Sequence, residues 1–286
     1  MANGLAKGGI TVGAVKLWVS VGAYVLAGAT TTPVAHAQPA PAPGHAGHAA
    51  PAAQGGEGGE GGEGGEAGAL LGASADVAYA ARLMQVRGHL AVGMELVRTG
   101  AWDEAVVHFL HPAEEIYGDL RPELLRRRAP DFKAGLDGLA ARVRAKRGGP
   151  GLETAYRDLV AAVDRAWAAG LPQRVREAPG FIAEVSARTL RAAAAEYAGA
   201  FEDGQFANVV EYQDSRGFVT ETSALLQRHE TPLAARDLEA WQKVRTALTE
   251  LRRAWPAPRP PEAPVLSPGE VSALVSRIEL TAQSWR

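Results

Sequence analysis

The chain has 286 residues, a formal net charge of −2 and no cysteine. A near-neutral balance with no basic face argues against nucleic acid as a partner, and the missing thiols exclude a disulfide framework or a thiolate metal site. An aromatic content of 6% beside abundant Ala, Leu, Arg and Glu predicts an all-α protein.

At the N-terminus, Lys7 and Lys16 precede an apolar run from Leu17 to Ala27, and Ala35-His36-Ala37 follows it. A basic start, an apolar centre of roughly 10 residues and an A-x-A site define a secretory signal peptide. The expectation is a signal over 1–37 and a periplasmic mature protein. The run is shorter than the about 20 residues that span a bilayer, so no stable membrane insertion is expected after cleavage. An uncleaved anchor is the alternative.

Residues 38–75 read as a His/Gly/Glu-rich linker. His45 and His48 sit in an Ala/Pro segment, and Gly-Gly-Glu then recurs with its acids at Glu57, Glu60, Glu63 and Glu66. This composition buries too little apolar surface to offset chain entropy and predicts disorder. Two roles stay open: a solvated spacer, or a loose cation collector without metal selectivity.

Helical periodicity begins at Ala75. A first helix is expected to Arg98, a stop at Gly100, and a second helix from Trp102 that meets Pro112. Arg121-Pro122 and Ala129-Pro130 read as breaks. Further helices fit Phe132–Lys146 and Leu152–Ala169. After a connector the plan repeats: Phe181–Glu202, a turn at Asp203-Gly204, then Gln205 to Arg228. Thr231-Pro232 reads as the start of a helix running to Trp255, and Ser267-Pro268-Gly269-Glu270 as a capping box opening the last. Two antiparallel helical halves are expected, 76–178 and 179–286. Each is a hairpin or four-helix bundle, and the register of Gly100 with Gly204 and of Trp102 with Phe206 suggests duplication.

The densest set of candidate ligands lies between Gly88 and Tyr117. His108 and His111 share a helix face, with Glu114 and Glu115 one turn on. Pro112 cannot donate to the carbonyl of residue 108, so a helix through it must kink; a helix that ends and restarts there is the alternative. His89 lies at nearly the same distance from Gly100 as His111, and Glu95 is nearer the turn. These residues form the expected metal site: His89, His108, His111, Glu114 and Glu115. A secondary set is Glu211, Tyr212 and Asp214, otherwise read as surface positions of an amphipathic helix. His229 is expected to serve a helix C-terminus.

The segment Glu196-Tyr197-Ala198-Gly199-Ala200-Phe201-Glu202-Asp203-Gly204, followed by Asn208, Val210-Glu211-Tyr212-Gln213-Asp214 and Gly217-Phe218-Val219, resembles the extracytoplasmic helical extension of bacterial high-affinity iron permeases. The two-halved plan is more loosely similar to imelysin-like periplasmic proteins of iron uptake. Val92 stands where a Gly-x-His-x-x-Glu signature would have its acid, and no Arg-Glu-x-x-Glu membrane helix follows. The resemblance therefore implies an iron-linked periplasmic setting without transferring a binding site.

The expected function is a metal-binding accessory of uptake that passes iron, or else zinc or copper, to a membrane metal transporter. The alternative is a metal-free helical partner-binding module, since Gly100-Ala101-Trp102-Asp103-Glu104-Ala105 resembles a tetratricopeptide turn, although no such turn recurs at a 34-residue period. No peptidase, hydrolase, nucleotide or haem motif is present, so no enzyme is expected.

Overall fold

The structure, a computed structural model, describes residues 61–286. The expected signal peptide, with His36, and His45, His48, Glu57 and Glu60 lie outside the described residues. In chain order the helices are α1 (Gly61–Gly68), α2 (Ala75–Arg98), α3 (Trp102–His111), α4 (Tyr117–Arg127), α5 (Lys133–Arg144), α6 (Pro150–Gly170), α7 (Gln173–Arg176), α8 (Pro179–Gly199), α9 (Val209–Arg228), α10 (Glu230–Arg236), α11 (Leu238–Leu251) and α12 (Pro268–Ala282). Among the described residues the fold is all-α apart from one two-stranded ribbon, Phe201–Glu202 with Gln205–Phe206. None of the described helices is long and apolar enough to cross a membrane.

The packing forms two lobes. In the first, α2 lies against α3 and α6, and α5 joins α3 to α6. In the second, α8 lies against α9 and α12, and α11 packs on α12. The expected boundary at 178/179 is not a gap between separate bodies, because α2 packs along both α8 and α9 within one compact unit. Gly88 and Gly217 explain the closeness. A Cβ on Gly217 would stand 2.2 Å from the Gly88 carbonyl oxygen, and one on Gly88 would stand 2.5 Å from the Phe218 ring. Only two glycines let these backbones meet. Around the crossing, Leu90, Met94, Phe109 and Phe218 are fully or almost fully buried, each stabilising by about 1.5–3 kcal/mol.

The two hairpin turns differ in build. Gly100, at φ +82°, simply follows the Thr99 cap of α2. Asp203 and Gly204, at φ +50° and +78°, form the two-residue loop of the β-ribbon, the combination that matches strand twist. α9 therefore starts only at Val209, where the Asn208 side chain accepts from the Val210 and Glu211 amides. Tyr197, Phe201, Phe206, Tyr212 and Trp255 stack around this turn with neighbouring ring centroids 4.4–6.3 Å apart.

Three local expectations are corrected, and the distortion expected at Pro112 is found. Pro122 lies inside α4 and breaks nothing, while Pro112 opens a single π-turn over Pro112–Ile116 that α4 continues. The missing proline N–H frees a carbonyl and the next amides shift register, so that Tyr117 N–H reaches the Pro112 oxygen. Thr231 is not a cap; α10 already starts at Glu230, and Asp237 caps α11 by accepting from Ala240 N. The linker expected to be disordered to residue 75 is helical over Gly61–Gly68, because α1 docks on α8. There tertiary contact overrides a poor helix composition. The Ser267–Glu270 capping box forms as expected.

Candidate metal centre

The α2–α9 crossing places His89 opposite Asp214, and a second close approach brings α3 in. A Cβ on Gly93 would lie 3.1 Å from His108 Cβ. His89, His108 and Asp214 are all buried. His89 Nδ1 lies 2.6 Å, and His108 Nδ1 2.7 Å, from the same atom, Asp214 Oδ1. Ligand atoms of these three residues lie within 4.8 Å of one another, the one group among the described residues with that geometry.

The outer ring nitrogens fix the protons. His89 Nε2 is 2.9 Å from Glu66 Oε1, and a carboxylate only accepts. His108 Nε2 is 2.8 Å from Gln213 Oε1, while the Gln213 amide nitrogen donates to Glu104 Oε2 at 3.2 Å. Arg259 Nε donates to Glu104 at 3.0 Å, and hydrogen bonds from Arg259 hold its carboxyl below the usual range against partial burial. Glu104 is thus an acceptor, Gln213 must turn its amide nitrogen toward it, and His108 Nε2 carries a proton. With both outer nitrogens donating, the two Nδ1 atoms face one carboxylate oxygen. Bare, they would set lone pair against lone pair; each needs a proton or a shared cation between.

Protonation responds accordingly. Burial works against the His89 imidazolium, but the charges of Asp214 and Glu66 outweigh it and raise the ring well above its ordinary value. Burial likewise opposes the Asp214 carboxylate, and the adjacent His89 and His108 hold it well below the usual range. The donor set of two imidazoles and one carboxylate suits Fe(II), Zn(II) or Cu(II). Glu66 and Gln213 supply the outer-nitrogen contacts that such sites use to orient their ligands.

The other expected ligands sit further out. His111 lines the rim, its side chain 21% exposed, with Nδ1 3.4 Å from Asp214 Oδ2 and Nε2 3.7 Å from Glu115 Oε1. The π-turn carries Glu114 and Glu115 into a cleft of about 380 Å³, whose other lining residues include Glu66, Gln85 and Asp119. Glu114 is exposed and is not drawn to the imidazoles. Tyr212 donates instead to the Ala257 carbonyl at 2.8 Å. Glu95 is held by Arg216 at 2.7 and 2.8 Å and lies outside the centre. His229 bonds the Leu225 carbonyl at 3.0 Å, the helix-end role expected of it.

Sequence reasoning assigned Asp214 to a separate secondary set and passed over Gln213 and Glu66 as ligand-orienting groups. The Gly88–Gly217 pair was the available signal, two helix-interior glycines that mark close helix contact and hence which faces meet.

These features define an all-α, two-lobed protein whose shared core holds a buried His–Asp cluster. Within it, residues 172–285, spanning α7 to α12, match the family model of the iron permease-associated 4-helix bundle domain. The expected likeness to the iron permease extension is found where its motif lies. No curated protein and no solved structure matches the chain.

Proposed function

We propose that this protein is an exported, non-catalytic carrier of iron uptake. It holds one cation at His89, His108 and Asp214 and delivers it to a membrane metal transporter. The observation that carries the reading is the wiring of the two rings: their outer nitrogens are committed as donors, so two inner nitrogens converge on one buried carboxylate oxygen. Such a centre is stable only around positive charge. The iron permease-associated domain at 172–285 supports iron as the first candidate and a permease as partner, and the N-terminal signal supports export. His111, Glu114 and Glu115 form the acidic mouth through which the ion reaches the buried ligands.

The test is metal uptake by the full chain, measured by equilibrium dialysis and elemental analysis with Fe(II) under anaerobic conditions, Zn(II) and Cu(II). The His89→Ala/His108→Ala variant should lose the tightest equivalent, with affinity down at least a hundredfold. Unchanged uptake would sink the assignment.

A further inference from the structure

Two buried carboxylates on the α8–α9 hairpin are not used by the imidazole centre. Glu196 on α8 is 2% exposed and Glu211 on α9 is 8% exposed. One oxygen of each, Glu196 Oε1 and Glu211 Oε2, is closed to solvent with no hydrogen-bond partner among the described residues. The other Glu211 oxygen takes Asn208 Nδ2 at 3.3 Å. The two residues stand on opposite arms of the α8–α9 hairpin, at equal separations from the Asp203-Gly204 turn.

α1 brings a third carboxylate to the same place. A Cβ on Gly65 would stand 2.6 Å from Glu196 Oε1, so α1 lies directly against that carboxylate. The next residue is Glu66, whose backbone carbonyl accepts from Gln85 Nε2 at 3.3 Å. Arg188 fastens the end of this segment through the Ala69 and Leu71 carbonyls, at 3.2 and 2.7 Å. Burial first, then the charges of Asp214, Glu66 and Glu115, push the Glu211 carboxyl up to about 7 against the opposing His111. A buried carboxylate oxygen without a partner is costly, and like charges beside it add to the cost. A cation removes both penalties together.

We propose that Glu66, Glu196 and Glu211 form a second cation position, made of oxygen donors alone and suited to a hard ion. The proposal rests on the carrier reading and extends it: the imidazole centre is a nitrogen-rich holding site, and this is an oxygen-only neighbour joined to it through Glu66, which touches His89 and lines the cleft. Its three carboxylates are not gathered as closely as His89, His108 and Asp214. Ion binding draws them together and fastens α1 onto α8.

Titrating the full chain with Mn(II) at pH 7.5, with free ion followed by electron paramagnetic resonance, tests this. Wild type should take up two equivalents, Glu196→Gln/Glu211→Gln one, and His89→Ala/His108→Ala the other one. The single Glu211→Gln variant should weaken its equivalent at least tenfold; both glutamine variants keep side-chain volume and remove repulsion, so their Tm should hold or rise. A glutamine pair that binds as many ions as wild type overturns the inference. A single wild-type equivalent, lost only with the histidines, also overturns it and leaves the imidazole centre standing. A chain that takes up no ion sinks both readings.

Discussion

The first lobe supplies nitrogen and the second supplies oxygen. His89, His108 and His111 come from α2 and α3, whereas Glu196, Glu211 and Asp214 come from α8 and α9. The stretch that matches the iron permease-associated domain contains a single histidine, His229, and that ring is tied to the Leu225 carbonyl. The matched bundle therefore carries only half of the donor chemistry, and the imidazoles lie outside it. Neither lobe holds the centre alone; it exists because Gly88 and Gly217 let α2 and α9 touch. On the proposed reading, cation binding would be a readout of how the lobes are packed.

Removing the oxygen at the meeting point should have the largest effect. Asp214→Ala leaves two buried imidazoles facing nothing, and breaking a buried charge pair in this way costs about 3–5 kcal/mol. Urea unfolding should show that loss, with metal uptake abolished; a midpoint within error of wild type would mean the carboxylate does not hold the lobes together. Wedging the crossing apart comes next. A Val at position 217 meets backbone, which cannot rotate away, so Gly217→Val should cost about 3 kcal/mol, the upper end for overpacking, and weaken metal affinity although it touches no ligand. A variant that loses stability yet binds metal as wild type would show that the centre does not depend on the crossing.

The same contrast explains what was readable from sequence. Within the first lobe, the histidines could be brought together by counting from Gly100, because a hairpin register is local. His108 and His111 on one face, and a distortion at Pro112, follow from helix geometry alone. The α8–α9 hairpin and its likeness to the permease extension were equally legible, since that motif is contiguous. What periodicity could not give was which face of α9 meets α2; the helix-interior glycines Gly88 and Gly217 mark that contact, but nothing in the sequence pairs one with the other. Asp214 was therefore grouped with its sequence neighbours Glu211 and Tyr212, although it faces the histidines. Glu66 was hidden for a different reason: composition averaged over the whole Gly-Gly-Glu run predicts disorder, while α1 is held by specific partners, Arg188 and Gln85.

The smallest expected effect distinguishes the cation-free chain from the loaded one by the sign of its pH dependence. The folded His89 ring binds its proton more tightly than an unfolded one, so its contribution is complete below about pH 6.5 and fades as pH rises through the folded value. Asp214 is shifted down, so its contribution is present above pH 3.8 and is lost as pH falls toward the lowered value. Glu211 is raised from 4.5 to about 7, so folding costs progressively more across that interval. With chelator present, the three together place maximum stability at roughly pH 4 to 4.5, where Asp214 is ionised and Glu211 and His89 have lost nothing, and Tm should fall from pH 5.5 to 8, by about 2–4 °C for each kcal/mol lost. Zn(II) replaces the protons between the rings and Asp214, so its binding releases them and tightens with pH. The stabilisation by saturating Zn(II), measured as the Tm difference from chelated protein, should grow over the same interval. If it shrinks instead, the ion is binding somewhere other than between these imidazoles.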